Sequence, residues 1–169
     1  GKCVQVVTTE EQGFRLTAEA IETVLTDRSK LVIVNSPNNP SGAVVPKDEF
    51  EKIYELTSSR GIVLLTDECY CRLIYDSEPF SIAAVDGAKS NIVVAGSLSK
   101  TYAMTGWRVG FALAPRELIG AINKLQSHST SNVTSIVQKA AIEALTGPQE
   151  SVQEMLDEYR RRRDFAVHA

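Results

Sequence analysis

Five short apolar runs punctuate the chain, at residues 4–8, 31–35, 62–67, 91–97 and 109–114, rich in Val and Ile and mostly apolar on both faces of an extended strand. Strands of that kind are covered on both sides, as in parallel sheets. Between several of them the period changes to that of a helix, at residues 17–25 and 46–60. In the second of these, Phe50, Ile53, Tyr54 and Thr57 fall on one face. Pro46 suits a first helical turn, and Gly61 follows the last one, where a residue with positive φ commonly ends a helix. Strands alternating with helices predict a three-layer α/β/α fold around a mostly parallel sheet.

After Pro115 the texture is helical throughout. Leu118, Ile119, Ile122 and Leu125 repeat at helical spacing, as do Ile136, Val137, Ala140, Ala141, Ala144 and Leu145. Gly147-Pro148 breaks the pattern, and Val152, Met155, Leu156 and Tyr159 restart it in a last helix. Arg160 to Arg163 lie in succession there, but Glu150, Glu154, Asp157, Glu158 and Asp164 surround them, which reads as a solvated face rather than a nucleic-acid contact. No repeat, low-complexity tract or linker interrupts the chain.

Composition narrows the classes. At 169 residues with 43% hydrophobic content, the chain has the material for one substantial core. A net charge of −3 leaves no electrostatic footprint for nucleic acid or an anionic membrane. Cys3, Cys69 and Cys71 are odd in number and lack zinc-ligand or C-x-x-C spacing, so they read as reduced thiols of a cytoplasmic protein, and no metal site is expected. No apolar stretch approaches the roughly 18 residues of a membrane span. Residues 1–9 lack the layout of a signal peptide, and because residues 4–7 already read as a strand, the chain is expected to begin inside a domain.

In open α/β sheets, ligands bind beyond the carboxyl ends of the strands. Three loops at such positions carry unusual residues. Residues 35–42 (Asn-Ser-Pro-Asn-Asn-Pro-Ser-Gly) are rich in turn formers and short amides, and taken alone they describe a tight turn. Asp67 ends an apolar strand, and Tyr70 follows three positions later. A carboxylate there needs a cation or a set of donors, or else serves as a helix cap or structural ion pair. Ser97, Ser99 and Lys100 form the third set, with Arg108 eight positions beyond the lysine in the run Thr105-Gly106-Trp107-Arg108-Val109-Gly110. Singly, each of these charges reads as a surface residue.

Together, the loop at residues 35–42, Asp67 with Tyr70, and Ser97-Leu98-Ser99-Lys100 leading to Arg108 closely resemble the motifs of class I aminotransferases, which are fold type I pyridoxal-phosphate enzymes. The resemblance covers essentially the whole chain and looks most like the aspartate-type enzymes of bacteria. It implies that Lys100 is the lysine that binds the cofactor aldehyde as a Schiff base. Once substrate displaces it, the freed amine would move a proton between the substrate α-carbon and the cofactor C4′. Asp67 would pair with the pyridine nitrogen and keep it protonated. Tyr70 and Asn39 would hydrogen-bond the cofactor O3′, while Ser97 and Arg108, helped by Ser99, would hold the phosphate. Met104 and Trp107 read as packing residues and His128 as a loop or helix-end residue.

The resemblance further implies an enzyme moving an amino group between an L-amino acid and a 2-oxo acid, working as a homodimer. Residues 1–147 would form the central part of the cofactor-binding large domain, and residues 148–169 would start the helix leading to a small domain. Full enzymes of this family also carry a phosphate loop, a ring stacked on the pyridine and an arginine for the substrate α-carboxylate, none of which has a match here. Lyases and synthases of the same fold share these cofactor residues, and a non-catalytic cofactor-binding regulator or inactive fragment is a further alternative.

Overall fold

The computed structural model describes residues 1–85 and 90–169 of the chain. Four strands, β1 (Leu31–Asn35), β2 (Val63–Asp67), β3 (Ile92–Ser97) and β4 (Gly110–Leu113), form one sheet in the order β1-β2-β3-β4. The first three run parallel and β4 returns antiparallel to β3, so the α/β, mostly parallel reading holds. The register sets Asn35 against Asp67 and Asp67 against Ala95, which brings three strand ends into one row.

Helices α1 (Ala18–Glu22) and α2 (Lys47–Ser59) cover one face of the sheet. Ile21, Phe50 and Ile53 from these helices join Val34, Leu64 and Val94 from the strands in the core. The Thr17 hydroxyl caps α1 by accepting the Ala20 N–H at 3.2 Å, and the Ala18 N–H donates to the buried Glu49 carboxylate at 2.7 Å, pinning α1 to α2. The helix α2 ends as its sequence predicts, with Gly61 in the left-handed region at φ 62°. Because side chains alternate along a strand, Leu31, Ile33, Leu65 and Asp67 point to the opposite face, where Leu31 and Ile33 are exposed.

Beyond β3 come α3 (Leu98–Thr101), α4 (Arg116–Ser129), α5 (Ser135–Thr146) and α6 (Glu150–His168). None of the last three contains a fully buried residue. Among the described residues, no helix is long and apolar enough to cross a membrane.

Three expectations need correction. Residues 4–8 form no strand, and Val4 and Val7 are exposed; a strand exists only where a neighbour takes its backbone hydrogen bonds, and among the described residues none pairs with this segment. The first helix stops at Glu22, because the β-branched pair Thr23 and Val24 gives way to a turn closed by reciprocal bonds between Thr26 and Ser29. Met104 is packed as predicted, but Trp107 remains about half exposed, since it lies in a surface 3₁₀ turn at Thr105–Trp107. His128 falls in the last turn of α4.

Candidate active site

Parallel strands bring their carboxyl ends together, and the loops leaving β1 and β2 there are stitched to one another by side chains. The Asn35 Nδ2 donates to the Asp67 carbonyl at 3.2 Å, while its Oδ1 accepts the Asn39 N–H at 2.9 Å. Asn39 in turn donates through Nδ2 to the Tyr70 hydroxyl at 3.2 Å. A line of hydrogen bonds therefore runs from the end of β2 through the β1 loop to the Tyr70 phenol. That line holds the phenol oxygen in place.

Lys100 sits on α3, which starts directly after β3. The Ser97 hydroxyl caps this short helix by accepting the Ser99 N–H at 3.1 Å, and buried Leu98 and Thr101 anchor it. Lys100 is half-buried, and its Nζ lies 5.7 Å from the centroid of the Tyr70 ring. Asn39, Tyr70 and Lys100 line one pocket of about 520 Å³, together with Ile74 and with Tyr159 and Arg163 from α6. That is the size range of small-ligand sites, roughly 300–1,000 Å³.

The remaining candidates form a second group beside the first. Arg108 is exposed and donates from Nη1 to the Thr105 carbonyl at 2.9 Å, while the Thr105 hydroxyl donates to the Ser99 carbonyl at 3.1 Å. Ser97, Ser99 and Arg108 are thus joined around the end of β3. Asp67 is half-buried at the end of β2, with its Oδ1 accepting the Cys69 N–H at 3.1 Å. By register and alternation it shares a sheet face with Ala95 and Ser97. Asp67, Ser97, Ser99 and Arg108 are not among the residues lining the pocket of Lys100.

Several contributors escape a reading of the sequence. Asn35 is the hub of the loop network, and its only local signal is an amide ending an apolar strand. Glu68, one residue past Asp67, turns to the core side and is buried, its Oε1 accepting from the Thr66 hydroxyl at 3.1 Å, the Ser81 hydroxyl at 3.0 Å and the Ile82 N–H at 3.3 Å. Burial pushes its pKa up, and these three donors pull the other way. Burial, followed by the negative charge of Glu68, also raises the pKa of the Cys71 thiol, so this cysteine is poorly suited to act as a nucleophile. The arginines of α6 are not one solvated face: Arg161 and Arg162 meet Glu158, but Arg160 and Arg163 turn to the loop after β2.

A lysine and a phenol in one pocket, at the carboxyl edge of a mostly parallel sheet, define the class as an α/β protein built for small-molecule chemistry. Residues 1–169 match the model of aminotransferase class I and II, and the chain belongs to that family. It is 43% identical to an aspartate aminotransferase of Bacillus sp. (strain YM-2) over 157 residues, 92% of this chain and 40% of that protein. It is 41% identical to a probable aspartate/prephenate aminotransferase of Aquifex aeolicus (strain VF5), over 99% of this chain and 43% of that one. Among solved structures, the aromatic aminotransferase from Pyrococcus horikoshii OT3 superposes with a TM-score of 0.92 at 38% identity, covering 96% of this chain and 44% of that one. The chain therefore spans less than half the length of the relatives it matches. Enzymes of this family depend on pyridoxal phosphate.

Proposed function

We propose that the chain is the cofactor-holding part of an aminotransferase that moves an amino group between an L-amino acid and a 2-oxo acid. The observation that carries this reading is the meeting of Lys100, Tyr70 and Asn39 in one pocket at the strand ends. Taken with the neighbouring group at the ends of β2 and β3, the donors suit pyridoxal phosphate: an amine for its aldehyde and a phenol and an amide for its O3′ in the pocket, and beside it a carboxylate for its ring nitrogen and hydroxyls with a guanidinium for its phosphate. Bound there, the cofactor supplies an electron sink for a substrate α-carbon that loses its proton.

The chain's own residues supply the rest. Lys100 would hold the cofactor at its aldehyde, with loss of water, and once displaced by substrate its amine would carry a proton between the substrate α-carbon and C4′. Asp67 would pair with the ring nitrogen and keep a proton on it. Tyr70, held by the Asn39 amide, would donate toward O3′, and Asn39 would reach the same atom. Ser97, Ser99 and Arg108 would bind the phosphate, the guanidinium offering a planar fork of donors.

Residues 1–147 form the central part of the large domain, and α6 begins the helix toward a small domain. The break at Gly147 and Pro148 between α5 and α6 supports this division. Exposed apolar residues on α4 and α5 support a homodimer, and three unpaired thiols support a cytoplasmic setting.

The test is borohydride reduction of the full-length polypeptide loaded with pyridoxal phosphate, followed by peptide mapping. The label is expected on Lys100, and Lys100→Ala should lose both the label and, by about a thousandfold or more, amino transfer. A label scattered over other lysines overturns the reading. Release of ammonia and a 2-oxo acid without an acceptor moves the assignment to a lyase of the same fold.

A further inference from the structure

The four consecutive arginines of α6 divide by helical phase. Arg161 and Arg162 both bond Glu158 on the helix's own surface. Arg160 and Arg163, three positions apart, reach instead to the segment after β2, across 85 and 87 residues of chain. Arg163 stacks its guanidinium on the Tyr75 ring, with 4.8 Å from Cζ to the centroid, and points Nη1 and Nη2 at the two Asp76 carboxylate oxygens, 2.6 and 3.5 Å away. Its Nε meets Asp164 at 2.7 Å, and Arg160 donates to the Tyr75 carbonyl at 2.5 Å. At the start of α6, Gln149 accepts from the Tyr102 hydroxyl at 3.2 Å, two residues beyond Lys100.

This helix therefore grips both segments that frame the pocket: residues 70–77, which carry Tyr70, and the end of α3, which carries Lys100. Residues 70–77 belong to no helix or strand; turn bonds such as Leu73 N–H to the Tyr70 carbonyl at 2.8 Å and the buried Ile74 side chain hold them, and at Tyr75 and Asp76 they meet α6. Glu68 ties down the inner end at the tip of β2.

We propose that Arg163 is a positioning residue: by clamping Tyr75 and Asp76 it fixes residues 70–77, and so sets the Tyr70 phenol against Asn39 and Lys100. Arg163 lines the same pocket, but its own bonds go to Asp76 and Asp164 and its guanidinium lies over Tyr75. The clamp has three parts, a planar stack, an ion pair and the adjoining Arg160 bond, and a guanidinium serves the first two together where an ammonium does not. Asp76 is well exposed, so the ion-pair part weakens as salt rises. The inference rests on the proposed cofactor pocket for its consequence, but not for the clamp itself.

Two measurements on the full-length polypeptide separate these. In the cofactor-free protein, Arg163→Ala should speed hydrogen exchange at the backbone N–H groups of Cys71 and Leu73 by about fivefold, the upper range for a contact of this exposure. In the loaded protein, it should reduce the visible circular dichroism of bound pyridoxal phosphate at unchanged helicity. Arg163→Lys should recover only part of both, and Arg161→Ala should change neither. Asp76→Asn, which leaves α6 intact, should act in the same direction and decides the matter if Arg163→Ala does not fold. Exchange and dichroism equal to those of the unaltered protein overturn the proposal. If the unaltered protein forms no visible band with the cofactor, the proposed function falls, while the exchange result still judges the clamp.

Discussion

Arg108 holds a backbone conformation that glycine would adopt more easily, with φ 54° and ψ 52°. An L side chain in that left-handed region costs about 1–2 kcal/mol, so a guanidinium kept there points to a use for the guanidinium. Arg108→Gly separates the two. It relieves the backbone while freeing the unfolded chain, so stability in a urea melt should change by less than about 1 kcal/mol. Affinity for pyridoxal phosphate, by equilibrium dialysis, should fall about tenfold or more, since hydrogen bonds to charged groups contribute about 1.5–3 kcal/mol. Unchanged affinity would remove Arg108 from the phosphate site. Asp67, Tyr70 and Lys100 were readable as candidates because they lie at or just after strand ends, and Arg108, which precedes β4, because the motifs together resemble those of a known family. Asn35 as the hub and Arg163 as the clamp were not, because their contacts with Asp67 and Asp76 span 32 and 87 residues, and no local pattern encodes such a pairing.

Elements were legible where the chain itself supplies their signals. The strands at 31–35, 62–67, 91–97 and 109–114 fall within one residue of their observed limits, and α2 follows its apolar stripe from Pro46 to Gly61. Residues 4–8 carry the same signal and form no strand, since pairing is decided by a neighbour rather than by the run. Between elements, Glu68 joins the end of β2 to the 3₁₀ turn at Ile82–Ala84, and its charge makes that join pH-dependent. Burial raises its folded pKa above the ordinary carboxyl value of 4.5, so the native state holds this proton more tightly than the unfolded chain. Its contribution to stability is then full below pH 4.5 and is lost as pH rises through the folded value. Glu68→Gln keeps Oε1 for the three donors without the charge. In urea melts across pH, the variant should gain on the parent from pH 4.5 upward and hold a constant advantage above the folded pKa. A difference independent of pH would mean that Glu68 is not the titrating group.

At the scale of the molecule, α1 and α2 cover one face of the sheet, while the other face is buried at Val93 and open at Leu31 and Ile33. Leu31 and Ile33 on the open face, Leu125 on α4, and Ile136, Ile142 and Leu145 on α5 are all about half or more exposed, and neither helix buries a residue fully. Each such side chain, if covered, would contribute about 1.5–3 kcal/mol, which is large against the net stability of a domain. Two half-formed layers therefore lean on a single core built by α1, α2 and the sheet. Residues 1–169 on their own should accordingly show two behaviours: a cooperative core, and helices α4 and α5 that exchange their amide protons near the rate of free peptide. The open surface should bind a hydrophobic dye and drive self-association, seen as a sedimentation coefficient that rises with concentration. Replacing Leu125, Ile136 and Ile142 together with Gln should lower dye binding and self-association while leaving the urea midpoint of the core unchanged, because none of the three is packed. A monomeric, dye-silent chain would mean that these helices fold back onto the open face in solution.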